Sequence, residues 1–205
     1  MLMNRLETRL VNSAPRRWLQ RYYEVPQLRR LGARIGPAAR VLELGCGSGY
    51  GTQLILDKFG ASSVDAIDLD PAMIDRARRR LARSVDRVRL AQGSATDLWT
   101  AFKATDDSYD VVFDFAIIHH IPDWRAALNE VARVLKPGGL FVFDEVTAEA
   151  LATRTYRLLF DHPAHDRFTA HRFVDALEDR KLRVGDRFVT RRAGHYVLGV
   201  ANLSA

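Results

Sequence analysis

Short apolar runs alternate with longer amphipathic ones through the middle of the 205-residue chain. RVLEL (40–44), SVDAIDL (63–69), RVRLAQG (87–93), YDVVFDFAI (109–117) and GLFVFDEV (139–146) have strand length and are rich in Val, Ile, Leu and Phe. Segments of helix length with one polar face separate them. The fourth run is apolar on both faces apart from its aspartates, which suits a central parallel strand covered on two sides. This alternation predicts βαβ units and a parallel sheet with helices on both faces.

Local signals place the helix ends. GTQLILDKFG (51–60) is expected to be helical and to stop at Gly60, a C-cap. Asp70 followed by Pro71 predicts an N-cap and a first helical residue, with the helix running to about Arg83. Pro122 and Asp123 open another helix that ends in LKPGG (135–139). Residues 1–38 read as mainly helical, with aromatics at Trp18, Tyr22 and Tyr23 and a break at Gly36-Pro37. Near the end, a helix over about 170–181 precedes RVGDRFVTRR and HYVLGVA, expected to pair as a hairpin across Ala193-Gly194.

The expected fold is a single α/β domain. Its doubly wound sheet has seven strands, mostly parallel, with an antiparallel C-terminal hairpin strand. Residues 1–38 would form an N-terminal helical lid, 39–146 a ligand-binding core, 147–168 an insertion, and 169–205 the C-terminal helix and hairpin. The insertion, TAEALATRTYRLLFDHPAHDRF, leaves the carboxyl end of the fifth strand, where such sheets bind ligands. It is expected to belong to a substrate lid.

Composition narrows the setting. Hydrophobic residues make up 47% and charged residues 27%, as in ordinary globular proteins. No apolar run reaches membrane-spanning length, and MLMNRLETRL lacks a secretory apolar core. The single cysteine, Cys46, excludes an intrachain disulfide. These features point to the cytoplasm and to no membrane partner. The net charge of +6 hints at anionic partners. Yet RARRRLARS (76–84) lies inside an amphipathic helix without interleaved aromatics, which disfavours nucleic acid. A homodimer stays open.

The candidate chemistry begins at VLELGCGSGYGT (41–52), where a strand runs into four glycines. Glycine permits a tight turn and close approach of backbone to ligand. A strand, a glycine loop and a helix N-terminus together form a nucleotide-cofactor site in doubly wound folds. A phosphate loop would need a lysine after its last glycine, and none follows Gly51. The dinucleotide pattern GxGxxG fits Gly45 and Gly47 but meets Tyr50 where the third glycine belongs, which disfavours NAD or FAD. A structural turn alone would not require so many glycines.

A fourth candidate ligand is S-adenosylmethionine, which a resemblance to a known family implies. ELGCGSG resembles motif I, E/DxGxGxG, of the class I S-adenosylmethionine-dependent methyltransferases. VDAIDLDPAMIDRA is similar to that family's second strand and its acid, and RLAQGSATDL to its adenine-contacting segment. YDVVFDFAIIHHIPDWRAALNEVARVLKPGGLFVFDE resembles the fourth strand, helix and fifth strand of the type 11 subgroup, which includes ubiquinone and menaquinone biosynthesis methyltransferases. The resemblance covers about residues 38–146, in the family's order and spacing, with a looser match in the C-terminal hairpin. It implies a Rossmann-like fold and S-adenosylmethionine as cofactor, with S-adenosylhomocysteine as product.

The resemblance also implies residue roles. Glu43 would act on the methionine moiety, and a bound cation would offset the cost of its burial. The Gly45, Cys46, Gly47 backbone would pass under the ribose and methionine chain. Asp68, 23 residues after Gly45, stands where an acid accepts both ribose hydroxyls. Leu69 would pack on adenine, with Ser94 and Ala95 at its edge; aspartate is commoner than serine there. Phe115 would offer its carbonyl to the methionine ammonium. Asp114 is an acid in need of a partner, an N-terminal arginine or the cofactor. Tyr50, Tyr22 and Tyr23 are candidate covers for the cofactor and acceptor.

Methyl transfer from a sulfonium is an in-line displacement, so the protein mainly orients the nucleophile and excludes water. A base is needed only if the acceptor must lose a proton. His119 and His120 are the candidates for base or acceptor orienter. Glu145 and His162 would line the acceptor pocket, which His165, Asp166 and Arg167 would help close. HPAHD (162–166) lacks convincing partners elsewhere, so no metal is expected. The expected function is methylation of a small molecule at oxygen, nitrogen or carbon. Alternatives are an RNA or protein methyltransferase, a protein that holds the cofactor without turnover, and a dehydrogenase. DFAI lacks the proline of the N/DPPY-like motif of amino-adenine methylating enzymes.

Overall fold

The computed structural model describes residues 4–159, 162–163 and 165–204. Of the expected N-terminal lid, residues 1–3 lie outside the described residues; of the expected insertion, 160, 161 and 164 do.

Five parallel strands form the centre: β1 (Arg40–Leu44), β2 (Ser63–Asp68), β3 (Val88–Gln92), β4 (Tyr109–Phe115) and β5 (Leu135–Val146). Three C-terminal strands follow: β6 (Leu182–Arg183), β7 (Phe188–Arg191) and β8 (Tyr196–Leu203). The order is β3-β2-β1-β4-β5-β8-β6, with β7 also pairing on β8. β8 runs antiparallel to β5, Leu140 facing Asn202 and Val146 facing Tyr196. The hairpin closes with Arg191 opposite Tyr196. The sheet has eight strands against seven expected, the addition being the two-residue β6, too short to show a period in the sequence. β5 also starts earlier than GLFVFDEV, because LKPGG joins the sheet across an irregularity between Tyr109 and Val111 of β4.

The helices are α1 (Arg5–Val11), α2 (Ala14–Leu19), α3 (Val25–Arg30), α4 (Tyr50–Leu54), α5 (Pro71–Arg80), α6 (Leu98–Phe102), α7 (Trp124–Val134), α8 (Ala148–Leu151), α9 (Arg154–Leu159) and α10 (Ala170–Glu178). Gln20–Glu24 and Ile55–Phe59 continue α2 and α4 as π-helical turns. Asp70 caps α5 as expected, accepting from the Ala72 amide at 2.8 Å, and Gly60 ends its helix with φ +81°. α5 stops at Arg80, ahead of Arg83, where a 3₁₀ segment over Ala82–Arg87 takes over.

One core cluster packs Trp124, Leu128, Phe141 and Phe173 on one face of the sheet, and the other packs Leu28, Leu54, Ile55 and Phe113 on the opposite face. The apolar strands are therefore buried on both sides, as their composition requires. The strand order reverses between β1 and β4, which opens a crevice at the carboxyl ends of both strands. No helix of the described residues is long and apolar enough to cross a membrane.

Candidate active site

The glycine turn sits in that crevice. Gly45, Gly47 and Gly49 all have positive φ, at 61°, 52° and 81°, a region side chains resist. A Cβ on Gly45 would collide with the Ile117 side chain, whereas one on Gly47 would meet nothing within 4 Å. Gly45 is thus small for packing and Gly47 for backbone shape beside open space. The turn is tied to the next strand by Asp68, which accepts from the Gly47 and Asp70 amides, each at 2.8 Å. Burial pushes the Asp68 carboxyl up, and these two amides oppose the shift.

A cavity of about 330 Å³ opens beside the turn and is lined by Gly45, Asp68, Leu69, Ser94, Ala95, Ile117 and His120 among others. Leu69 is 47% exposed and forms an apolar wall. Ser94 lies there too, but its hydroxyl is engaged by the Thr96 hydroxyl at 2.7 Å and amide at 3.2 Å. Cys46 is buried with its thiol toward the Gly47 carbonyl, and burial pushes that thiol up. Tyr50 donates to the Arg17 carbonyl at 3.3 Å, tying α4 to α2. Neither residue lines the cavity.

Glu43 stands behind the turn, fully buried, hydrogen-bonded to the Thr52 hydroxyl. Burial pushes its carboxyl up to about 8, with Asp68 and Asp114 adding repulsion. A Cβ on Gly51 would run into this carboxylate and the Phe115 ring. Phe115 ends β4, and the next residue, Ala116, turns the chain at φ +64°.

A second, larger cavity of about 670 Å³ lies over the carboxyl ends of β4 and β5. Leu10, Val11, Leu19, Tyr23, Val146, Tyr156, Tyr196 and Leu198 supply apolar walls, and Arg16, Glu24, Asp144, Arg191 and three histidines supply polar ones. His120 lines both cavities, so they meet at this residue. Tyr23 is in the wall, with the Arg191 guanidinium 4.0 Å from its ring centre. Tyr22 points away, 60% exposed, its ring 5.6 Å from that of Trp18.

Below this cavity the histidines and acids form one network. Glu145 accepts from His119 Nδ1 at 2.6 Å and from the Ile118 and Val146 amides at 2.6 and 3.0 Å. Burial pushes Glu145 up to about 7 and His119 down to about 3; His120 is held well below its ordinary value for the same reason. His162 joins them from the insertion, its ring centre 5.3 Å from His119 and 4.7 Å from His120. His165, Asp166 and Arg167 lie away from this cavity. Asp166 pairs with Arg125 and Arg172 instead.

Among the described residues no N-terminal arginine bonds to Asp114. One of its oxygens accepts from the Ile117 amide at 3.0 Å, and Glu145 neighbours the other. The N-terminal arginine is Arg16, which donates to both oxygens of Glu24 at 2.7 Å and lies near Asp144. Sequence reasoning missed Arg16, Glu24, Asp144 and Arg191. Asp144 carried a signal, an acid inside an apolar strand. The others read as ordinary surface charges until the N-terminal helices and the hairpin are folded over the sheet.

Comparison with known proteins follows the same lines. A family model for a methyltransferase domain matches residues 41–139. The chain is 33% identical over 181 residues to a malonyl-(acyl-carrier protein) O-methyltransferase of Halorhodospira halophila, covering 78% of this chain and 60% of that protein. It is 33% identical over 124 residues to a fatty-acid O-methyltransferase of Mycolicibacterium smegmatis, covering 60% of this chain and 43% of that protein. The chain thus spans less than two thirds of either relative's length. A solved S-adenosylmethionine-dependent methyltransferase from Aquifex aeolicus superposes with a TM-score of 0.72 at 20% identity, covering 97% of both chains. That likeness concerns the fold.

Proposed function

We propose that the chain is a class I S-adenosylmethionine-dependent methyltransferase, a reading supported by the methyltransferase-domain match over residues 41–139 and the 33% identical O-methyltransferase relative, and that it methylates a small carboxylic acid with an apolar body. The observation that carries this reading is the pair of cavities that meet at His120. The smaller takes adenosine: Asp68 accepts the ribose hydroxyls, and Leu69, Ser94 and Ala95 border adenine. Glu43 and the Phe115 carbonyl balance the methionine ammonium. The larger takes the acceptor.

When bound, S-adenosylmethionine would supply an electrophilic methyl group for in-line displacement by an acceptor lone pair, the carbon–sulfur electron pair leaving on sulfur in S-adenosylhomocysteine. Orientation and exclusion of water are the protein's main contributions. Arg191 supports an anionic acceptor: its Nε is buried without a hydrogen-bond partner, and it makes no ion pair with the described residues. Both O-methyltransferase relatives are named for acceptors that carry a carboxyl group. A carboxylate has no proton to lose, so His119 and His120 orient the acceptor and no base is required.

Calorimetric titration with S-adenosylhomocysteine, with NADH as control, tests the cofactor half. Binding of the first alone is expected; binding of NADH alone would overturn it. Labelled methyl transfer to medium-chain fatty acids tests the acceptor half. Label entering RNA or protein but no fatty acid would overturn that half and leave the first standing.

A further inference from the structure

The insertion after β5 carries His162 back to the two histidines that follow β4. The three ring centres lie 4.2, 5.3 and 4.7 Å apart. One nitrogen from each ring falls within 4.8 Å of the other two. We propose that His119, His120 and His162 bind one transition-metal dication of the zinc type, with Glu145 behind His119 and a fourth position open to the acceptor cavity.

The donor set fits such an ion. Zinc takes imidazole nitrogen at about 2.1 Å, which sets neighbouring ligand nitrogens about 3.4 Å apart in a tetrahedron. Closing the cluster asks for a shift of roughly an ångström. His162 stands on a connection, not on the sheet, so it can move without disturbing β4 or β5. Three nitrogens with no carboxylate or thiolate ligand favour zinc, cobalt, nickel or copper over magnesium or calcium. Cys46, the only thiol, faces the Gly47 carbonyl elsewhere.

The surroundings fit it too. A ligating histidine usually donates its other ring N–H to a carboxylate, which sets the tautomer and strengthens the ligand. His119 Nδ1 meets Glu145 at 2.6 Å, which leaves Nε2 as the ligating nitrogen. Glu145 is itself fixed by two backbone amides. Charge balance points the same way. Glu24, Asp114, Asp144 and Glu145 are all buried at or beneath this cavity. Among the described residues the one guanidinium bonded to any of them is Arg16. A dication in the cluster would offset that excess of carboxyl groups.

Three protein ligands and one open position are the pattern of a working rather than a structural metal site. The ion would sit where the two cavities meet. A carboxylate bound to it through one oxygen would present the other oxygen to the methyl group. This goes beyond the methyl-transfer reading and is tested without it.

The experiment is titration of chelator-stripped, tag-free protein with cobalt(II) and zinc, read by visible absorption and calorimetry. One equivalent should bind, with the cobalt spectrum of a tetrahedral site. His162→Ala should weaken binding at least 100-fold and His120→Asn likewise, with thermal melts confirming that both fold. Glu145→Gln should weaken it about tenfold, since the carboxylate acts through His119. His171→Ala, on the exposed face of α10, should bind as wild type does. Absence of saturable binding, or equal binding by wild type and the folded His162→Ala and His120→Asn variants, would overturn the site. S-adenosylhomocysteine binding on the same sample keeps the two proposals apart, because either can fail while the other holds.

Discussion

Single side chains at the glycine turn do separable things. Gly45 packs against Ile117, so any side chain there breaks the turn; Gly47 faces open space. Gly47→Val should therefore meet no neighbour but strain the backbone at φ 52°, leaving a folded protein with a lowered melting temperature and no S-adenosylhomocysteine binding, as calorimetry would show. Asp68→Ala removes two backbone contacts and the proposed ribose acceptor, and should weaken the same ligand by about 2 kcal/mol, roughly thirtyfold in Kd. Glu43 gives a pH effect. Its carboxyl is raised from 4.5 to about 8, so near pH 6 the free protein holds it protonated. Meeting the ligand's ammonium requires that proton to leave. Affinity should rise toward tenfold per pH unit between about 6 and 8 and then flatten, with a proton released on binding. Because the folded value is the higher one, this group favours the unliganded fold at low pH, and that contribution fades as pH climbs toward 8. Calorimetry in buffers of different ionisation enthalpy reads the proton, and Glu43→Gln should abolish the slope.

At the scale of elements, α1, α2 and the π-helical turn after them form the roof of the larger cavity, and a half-buried ion pair lies within that roof. Arg16 joins Glu24 within the roof and faces Asp144 on β5. Arg16→Met would leave both acids buried without a cation. The expected loss is about 2 kcal/mol in urea unfolding, because breaking one side of a half-buried pair leaves an acid with a poorer partner than the pair gave it. The strands were readable in advance because period and composition are local properties. The N-terminal contacts were not: APRRWLQRYYE states that a helix forms, yet nothing in it says which of its arginines meets an acid more than a hundred residues away.

Over the whole molecule the work is divided between a core and its covers. The smaller cavity is built entirely from the segment between Gly45 and Asp123, whereas the larger one takes walls from both chain-terminal regions. Removing residues 1–19 should leave S-adenosylhomocysteine affinity within about threefold while abolishing transfer to an acceptor. Loss of cofactor binding in that truncation would show that the two cavities are one cooperative unit. Local pattern alone determined the βαβ order, the glycine turn, the capping of α5 and the acid at the end of β2, since each rests on residues a few positions apart. Tertiary structure alone decided that Tyr23 lines the cavity while Tyr22 faces outward, that Arg16 meets Glu24 and Asp144 while Asp114 neighbours Glu145, and that His162 joins His119 and His120. Those pairings depend on how distant elements pack, and no spacing along the chain encodes a contact between segments that only the folded sheet brings together.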